Sequence, residues 1–169
     1  MGGRLLGLAG FLLALSFCLI LQGTFFSEFR LFGAAPDLVL VIVVSLTFFQ
    51  SKEASLGAAA LGGLMEDLYL GVMLGSNLLA LSLSVYLVTA FSTRIIRENV
   101  ITPLLVIFLS SLSYYVIMGI LLILSGQGFL MGPEYLGDML FGSLYNMILG
   151  ILIYPITYLI FHQIRKEPL

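Results

Sequence analysis

Glu66 and Asp67 are the residues whose chemistry stands out, because they lie side by side inside a long hydrophobic run. Acidic groups in such a place could serve intramembrane aspartyl catalysis, transport, ligand binding or the capping of a neighbouring helix. Adjacent residues on a helix point about 100° apart, so this pair does not form a catalytic dyad. A charge at membrane depth costs about 3 kcal/mol on insertion scales. Each carboxyl group should therefore be paired, protonated or exposed to water.

The residues after Asp67 favour a structural role for its carboxylate. Gly71, Gly75 and Asn77 predict a tight turn into the next helix. At such a turn a carboxylate can accept hydrogen bonds from the N–H groups that begin the helix. The sequence therefore predicts that Asp67 binds the start of the next helix. A role in transport or ligand binding, and simple solvation at the outer membrane interface, are the alternatives.

The spacing of small residues predicts which face of this helix turns inward. The small and acidic residues of one face are Ala59, Gly62, Gly63, Glu66 and, at its edge, Asp67. The large residues opposite are Leu61, Leu64, Met65, Leu68 and Val72. We expect the large residues to face lipid and the small and acidic face to turn into a helical bundle.

Other catalytic and cofactor-binding patterns do not occur in the sequence. The one histidine, His162, has no nucleophile beside it and cannot supply the two histidines of an H-E-x-x-H metalloprotease. The one cysteine, Cys18, excludes a disulfide framework and a cysteine-rich metal site. Walker and Rossmann glycine motifs and basic nucleic-acid patches do not occur either. We predict a non-enzyme with no cofactor, no metal and no nucleic-acid partner.

The composition predicts the elements that position these residues. Of the 169 residues, 60% are apolar and 9% are charged, and the mean hydropathy is +1.15. Soluble domains have about 25% charged residues, so this chain belongs in lipid. Unpaired backbone cannot face lipid, which predicts an all-α integral membrane protein with one transmembrane domain over residues 1–169.

A membrane span needs roughly 20 apolar residues. The third hydrophobic run is too long for one span, and Glu66, Asp67 and the glycines after them divide it in two. The sequence thus predicts a bundle of six transmembrane helices. The predicted spans are about 5–26, 31–50, 54–72, 76–93, 100–124 and 136–161.

The positive charges predict the topology, because Lys and Arg collect in cytoplasmic loops. Six of the seven fall on one side: Arg4, Lys52, Arg94, Arg97, Arg165 and Lys166. Only Arg30 falls on the other side, together with the acidic residues Glu28, Asp37, Glu134 and Asp138. Asp37 follows Pro36, and this pair is typical of a helix start. Both termini are therefore predicted to lie in the cytoplasm.

Two helices carry small residues on one face, and such faces allow close packing between helices in lipid. On the first helix these residues are Gly7, Gly10 and Ala14. On the last helix they are Gly142 and Gly150, with Asn146 between them. We predict that one of the two faces binds a partner protein, with a preference for the first helix.

The segment around the acidic pair resembles the signature of the bacterial rod shape-determining protein MreD family. That family shows G-L-x-x-D-L, a Gly, L-G, and then a helix that ends in a Tyr-Leu-Val-like run and a basic loop. The matching segment here is Gly62-Gly63-Leu64-Met65-Glu66-Asp67-Leu68-Tyr69-Leu70-Gly71-Val72-Met73-Leu74-Gly75. The later matches are Val85-Tyr86-Leu87-Val88 and Arg94-Ile95-Ile96-Arg97-Glu98-Asn99, and Pro36-Asp37-Leu38 opens the second helix as in the family.

The resemblance implies a scaffold of cell-wall elongation rather than a catalyst. It implies residence in the bacterial cytoplasmic membrane and binding to MreC, a single-span protein. It also implies a larger assembly with the actin-like MreB, the glycosyltransferase RodA and a class B penicillin-binding protein, which together maintain the rod shape of the cell.

The MreD family is also similar in architecture to the substrate-binding S components of energy-coupling-factor transporters, so uptake of a vitamin or other small molecule is the alternative function. S components carry an A-x-x-x-A motif in their first helix. The nearest equivalent here is Gly10 with Ala14, and this departure counts against the alternative.

Overall fold

A computed structural model describes residues 2–70, 73–91 and 101–166 of the chain. Within these residues the chain forms six α-helices, which confirms the predicted all-helical fold. The helices are α1 (Gly2–Glu28), α2 (Leu38–Leu46), α3 (Lys52–Leu70), α4 (Ser76–Phe91), α5 (Ile101–Leu124) and α6 (Tyr135–Lys166). A short 3-10 helix, Gly128–Leu130, lies in the connection between α5 and α6.

Some predicted features fall outside the described residues. They are Gly71, Val72, the loop with Arg94 and Arg97, and the predicted span limits at 72, 93 and 100.

Among the described residues, three helices are long and apolar enough to cross a membrane. These segments are Ala9–Glu28, Ile101–Leu124 and Tyr135–Ile160, which belong to α1, α5 and α6. The apolar part of α4, Ser76–Ala90, is shorter. Their exposed side chains are largely leucine, isoleucine and phenylalanine, as a lipid environment requires.

The second helix is shorter than the predicted span of 31–50. Residues Leu31 and Ala34 exchange two backbone hydrogen bonds across a tight turn, in which Phe32 and Gly33 have positive φ angles of 51° and 92°. The helix begins only after Asp37 and ends at Leu46. The apolar pattern missed the turn because the turn residues are themselves mostly apolar.

Helix α2 forms the centre of the bundle. Eight of its nine residues are buried, and Val39, Leu40 and Val41 have no exposed surface. It contacts the other five helices. A helix that is hydrophobic all round is stable only when it is buried, and the Val-rich sequence of α2 fits this position.

The other helices pack around α2 in chain order. Helix α3 packs closely against α4, α4 against α5, and α5 against α6. Helix α1 lies at the edge, where Leu15 and Leu19 are buried against the α2–α3 side.

The inward face of α3 is the predicted one. Ala59, Glu66 and Asp67 have at most 1% of their surface exposed, and Gly62 and Gly63 are also buried. On the opposite side Leu61, Leu64 and Leu68 are exposed, as expected for residues that face lipid. Met65, which was predicted to lie with them, is half-buried and packs against the core of the bundle. Helical periodicity therefore predicted the inward face correctly and failed at Met65.

Successive helices run in alternate directions, so three connections meet at one end of the bundle. Here α1 ends and α2 begins, α3 ends and α4 begins, and α5 ends and α6 begins. We call this the junction end. At the opposite end the ammonium group of Lys52 lies 4.3 Å from the ring centre of Tyr86, which joins the start of α3 to α4.

Candidate functional site

A buried polar cluster occupies the junction end. Its members are Asp37, Glu66, Asp67, Asn77, Ser111, Tyr114 and Asn146, which come from α3 to α6 and from the residue before α2. All are buried. Buried polar groups need partners, so the hydrogen bonds within this cluster decide what it can do.

Asp67 binds the start of α4. Its carboxylate accepts hydrogen bonds from the backbone N–H groups of Gly75 (2.9 Å), Asn77 (2.9 Å) and Leu78 (3.1 Å). The Ser76 hydroxyl lies 3.4 Å away as a further, longer donor. These N–H groups have no partner within their own helix, and their dipoles favour a negative charge. The hydrogen bonds that the sequence predicts for Asp67 are therefore present.

Two glycines make this turn possible. Gly75 has a φ of 94°, a conformation that L side chains rarely adopt, so the chain can reverse directly before α4. A Cβ atom on Gly63 would lie 2.6 Å from the carbonyl oxygen of Asn77 and from the Cα atom of Leu78. The backbones of α3 and α4 thus meet at Gly63, one turn before the carboxylate that accepts the N–H groups of α4.

Asp37 caps α2 and ties it to two other helices. Its carboxylate accepts a hydrogen bond from the Leu40 N–H (2.8 Å), and its own N–H donates to the Asn146 side-chain oxygen (2.7 Å). The Asn146 amide then donates to the Ser111 hydroxyl (3.0 Å). The next N–H along the chain, that of Leu38, donates to the Gln22 side chain of α1 (3.0 Å). The start of α2 is therefore bonded to α1 and α6, and through Asn146 to α5.

Tyrosines of α5 and α6 complete the cluster. The Tyr114 hydroxyl donates to the Asn77 side-chain oxygen, which joins α5 to α4. The Tyr135 hydroxyl donates to the Tyr115 carbonyl (2.6 Å), which joins α6 to α5. Each of these hydroxyl groups lies on an apolar ring that packs between helices.

Glu66 differs from its neighbours in the cluster. Its side chain is 1% exposed, and its Oε2 atom has no hydrogen-bond partner among the described residues. Its carboxyl group faces that of Asp37 within hydrogen-bonding contact, and the carboxyl group of Asp67 also lies nearby. The cluster thus contains two carboxyl groups in contact, 29 positions apart in the chain.

Sequence analysis did not find this pair, because it placed Asp37 at the outer face and paired Glu66 only with Asp67. A usable signal is the sequence of α2, which is apolar at every position except Ser45. A helix that is apolar on every side is buried on every side, so the residue that caps it is also buried.

The small-residue face of α6 packs inside the bundle. Gly142 and Gly150 are buried against α5: a Cβ atom would lie 2.5 Å from the Tyr115 hydroxyl at Gly142 and 2.7 Å from the Ile107 side chain at Gly150. These glycines allow α5 and α6 to approach each other within the bundle. The spacing indicated close packing correctly, but not with a separate protein.

The small residues of α1 are in the opposite situation. Gly10 and Ala14 are exposed, and no atom of the described residues lies within 4 Å of a Cβ atom built on Gly10. Gly7 lies in the same helix, but its surroundings are outside the description of the structure. This face of α1 is open.

The polar cluster is built to hold helices together. Across residues 2–70, 73–91 and 101–166 the structure contains no group of three or more His, Cys, Asp or Glu side chains that could hold a metal ion.

A separate groove of about 530 Å³ lies between α4 and α5, and it is lined almost wholly by apolar residues such as Leu87, Val106 and Ile117.

The comparisons with known proteins identify the family. Residues 4–164 match the family described as rod shape-determining protein MreD. No curated protein and no solved structure matches the chain significantly. The match takes in all six helices and nearly the whole sequence, and its description assigns a role in determining rod shape. The chain belongs to the MreD family of membrane proteins.

Proposed function

We propose that this chain is a non-catalytic membrane scaffold of the bacterial cell-wall elongation machinery, and that it binds an MreC-like single-span protein through α1. The observation that carries the proposal is the open small-residue face of α1. The hydrogen bonds of the buried polar cluster join helices of the bundle to one another, whereas on this face Ala14 is exposed and no described atom lies within 4 Å of the Cβ position of Gly10.

The face has the chemistry of a helix-docking surface. Around Gly10 and Ala14 lie exposed large residues, of which Leu13 is 71% and Phe17 is 64% exposed. Lipid tails are as apolar as these side chains, so the hydrophobic effect does not drive helices together within a membrane. Close van der Waals packing does so, and small residues between large ones provide the grooves into which a partner helix fits.

The proposed setting is the bacterial cytoplasmic membrane, in an assembly with MreB, RodA and a class B penicillin-binding protein. The junction end would face outward and both termini would lie in the cytoplasm. The charge pattern supports this orientation, because the sequence places six positive residues on the same side of the membrane. One of them, Lys52, lies at the end of the bundle opposite the junction end.

The docking test adds bulk to the open face of α1. We expect Gly10→Leu and Ala14→Leu to abolish co-purification with the MreC-like partner and to leave the melting temperature of the bundle unchanged. The physical reason is that added side chains at a close helix contact prevent the approach, whereas at an exposed position they meet nothing in the bundle.

Gly57→Leu is the matched control for the docking test. Gly57 is an exposed helical glycine on α3, and in the described part of the chain no atom lies within 4 Å of a Cβ atom built on it. This variant should retain the partner. Retention of the partner by both α1 variants, or its equal loss in the control, would contradict docking on α1.

Orientation is tested by cysteine labelling in a variant that lacks Cys18. Cysteines at Arg30 and Gly128 should react with an impermeant reagent added to intact cells, because both lie in connections at the junction end. Cysteines at Lys52 and Ile96 should react only after the cells are permeabilised. Labelling of Lys52 from outside would refute the proposed orientation.

A small-molecule uptake subunit with the architecture of an S component is the second candidate. The buried polar cluster favours it, because one oxygen of Glu66 has no partner among the described residues, at the end proposed to face outward. Purification from the native membrane separates the two functions. Co-purification of a vitamin and an ATPase, with no single-span protein, would favour the transporter.

A further inference from the structure

We propose that Glu66 and Asp37 form a buried proton-binding site, in which the carboxyl group of Glu66 carries a proton and donates it to the carboxylate of Asp37. The site joins the end of α3 to the start of α2. This inference is independent of the partner that the scaffold binds.

The contact between the two side chains requires a proton. Both side chains are buried, and their carboxyl groups are within hydrogen-bonding contact. A carboxylate is only an acceptor, so two ionised carboxylates cannot form a hydrogen bond with each other. One of the two groups must therefore supply the O–H.

The hydrogen bonds around the cluster assign the proton to Glu66. Asp37 lies at the positive end of the α2 dipole and accepts the Leu40 N–H. Asp67 accepts three backbone N–H groups of α4 and the adjoining turn. Such donors stabilise a negative charge. Glu66 receives none of these bonds, and its Oε2 atom has no partner in the described part of the chain.

The described groups that face Glu66 from the neighbouring helices are acidic or uncharged. A proton is therefore the positive charge that can neutralise its carboxylate. The titratable groups are Asp37 before α2, Asp67 on α3 itself, and the hydroxyls of Tyr114 and Tyr115 on α5. Tyr114 already donates its hydrogen bond to Asn77. Helices α4 and α6 contribute the uncharged amides Asn77 and Asn146. From Glu53 to Thr93, and in the sequences of α2 and α5, there is no Lys, Arg or His.

The proton gives the folded bundle a defined pH dependence. Unfolding exposes Glu66 to water, where a glutamate ionises with an ordinary pKa of about 4.3. At neutral pH the folded chain therefore binds one proton more than the unfolded chain. By linkage, the contribution of this proton to stability is complete in acid and declines as the pH rises.

Infrared spectroscopy of the whole protein in detergent tests for the proton directly. At neutral pH the wild-type protein should show the carbonyl stretch of a protonated carboxyl group. Glu66→Gln should lose this band, because it removes the protonated group and keeps the size of the side chain. Glu53→Gln, which changes an exposed glutamate in the first turn of the same helix, should keep it.

Thermal unfolding between mildly acidic and mildly alkaline pH gives a second measurement. The melting temperature of the wild-type protein should fall as the pH rises, and that of Glu53→Gln should follow it. Glu66→Gln should show a flatter curve, because its amide N–H donates to Asp37 at every pH. The proposal is overturned if the wild-type protein lacks the infrared band, or if Glu66→Gln keeps the band or the wild-type pH slope.

Discussion

Small residues form both the contact between α3 and α4 and the open face of α1. A neighbouring helix covers the first of these surfaces, whereas the second is exposed. A Cβ atom on Gly63 would lie 2.6 Å from the backbone of α4, whereas a Cβ atom on Gly10 would have no atom of residues 2–70, 73–91 and 101–166 within 4 Å. Gly142 and Gly150 resemble Gly63 in being covered by a neighbouring helix, which in their case is α5. The difference teaches that a line of small residues predicts a close approach of helices, but that only the fold decides whether the partner is internal.

The strongest test of the contact between α3 and α4 removes the Asp67 carboxylate, which accepts hydrogen bonds from the start of α4. We expect Asp67→Leu to lower membrane abundance and the melting temperature, because three backbone N–H groups lose their acceptor in a buried site. Each unsatisfied group costs about 1–3 kcal/mol. Detergent melting curves and immunoblots of membrane fractions measure both effects.

Glu66→Leu is the comparison for that variant. Glu66 accepts none of the α4 hydrogen bonds, so its replacement should cost less than the replacement of Asp67. Equal tolerance of the two changes would show that the start of α4 does not depend on the Asp67 carboxylate.

A smaller effect on the melting temperature is expected from one methyl group added at the contact between α3 and α4. Gly63→Ala places a Cβ atom against the backbone of α4, which cannot move aside as a flexible side chain can, and overpacking of this kind costs about 1–3 kcal/mol. The melting temperature should fall.

Gly57→Ala should instead raise the melting temperature. The site is open among the described residues, and alanine has a higher helix propensity than glycine by about 1 kcal/mol. If Gly63→Ala melts at or above the wild-type temperature, the close approach of α3 and α4 does not limit stability.

Local rules account for the parts of the fold that were predictable. Helical periodicity gave the inward face of α3, and the residues after Asp67 gave its hydrogen bonds to the next helix, since these partners are 8 to 11 positions away. The contact between Asp37 and Glu66, and the bond from Asp37 to Asn146 over 109 positions, depend on how α2 lies among its neighbours. The limits of α2 were missed because an apolar turn and an apolar helix have the same hydropathy.

The shortness of α2 bears on how the chain enters the membrane during synthesis. Nine residues of helix measure about 14 Å, less than half of a hydrocarbon layer of about 30 Å. Such a segment cannot insert as an independent span, because it does not reach across the layer and the non-helical backbone that precedes it would meet lipid with unpaired polar groups. Neighbouring helices must shield these groups as α2 takes its place. For the centre of this bundle, insertion into the bilayer and assembly of the tertiary structure are therefore one event.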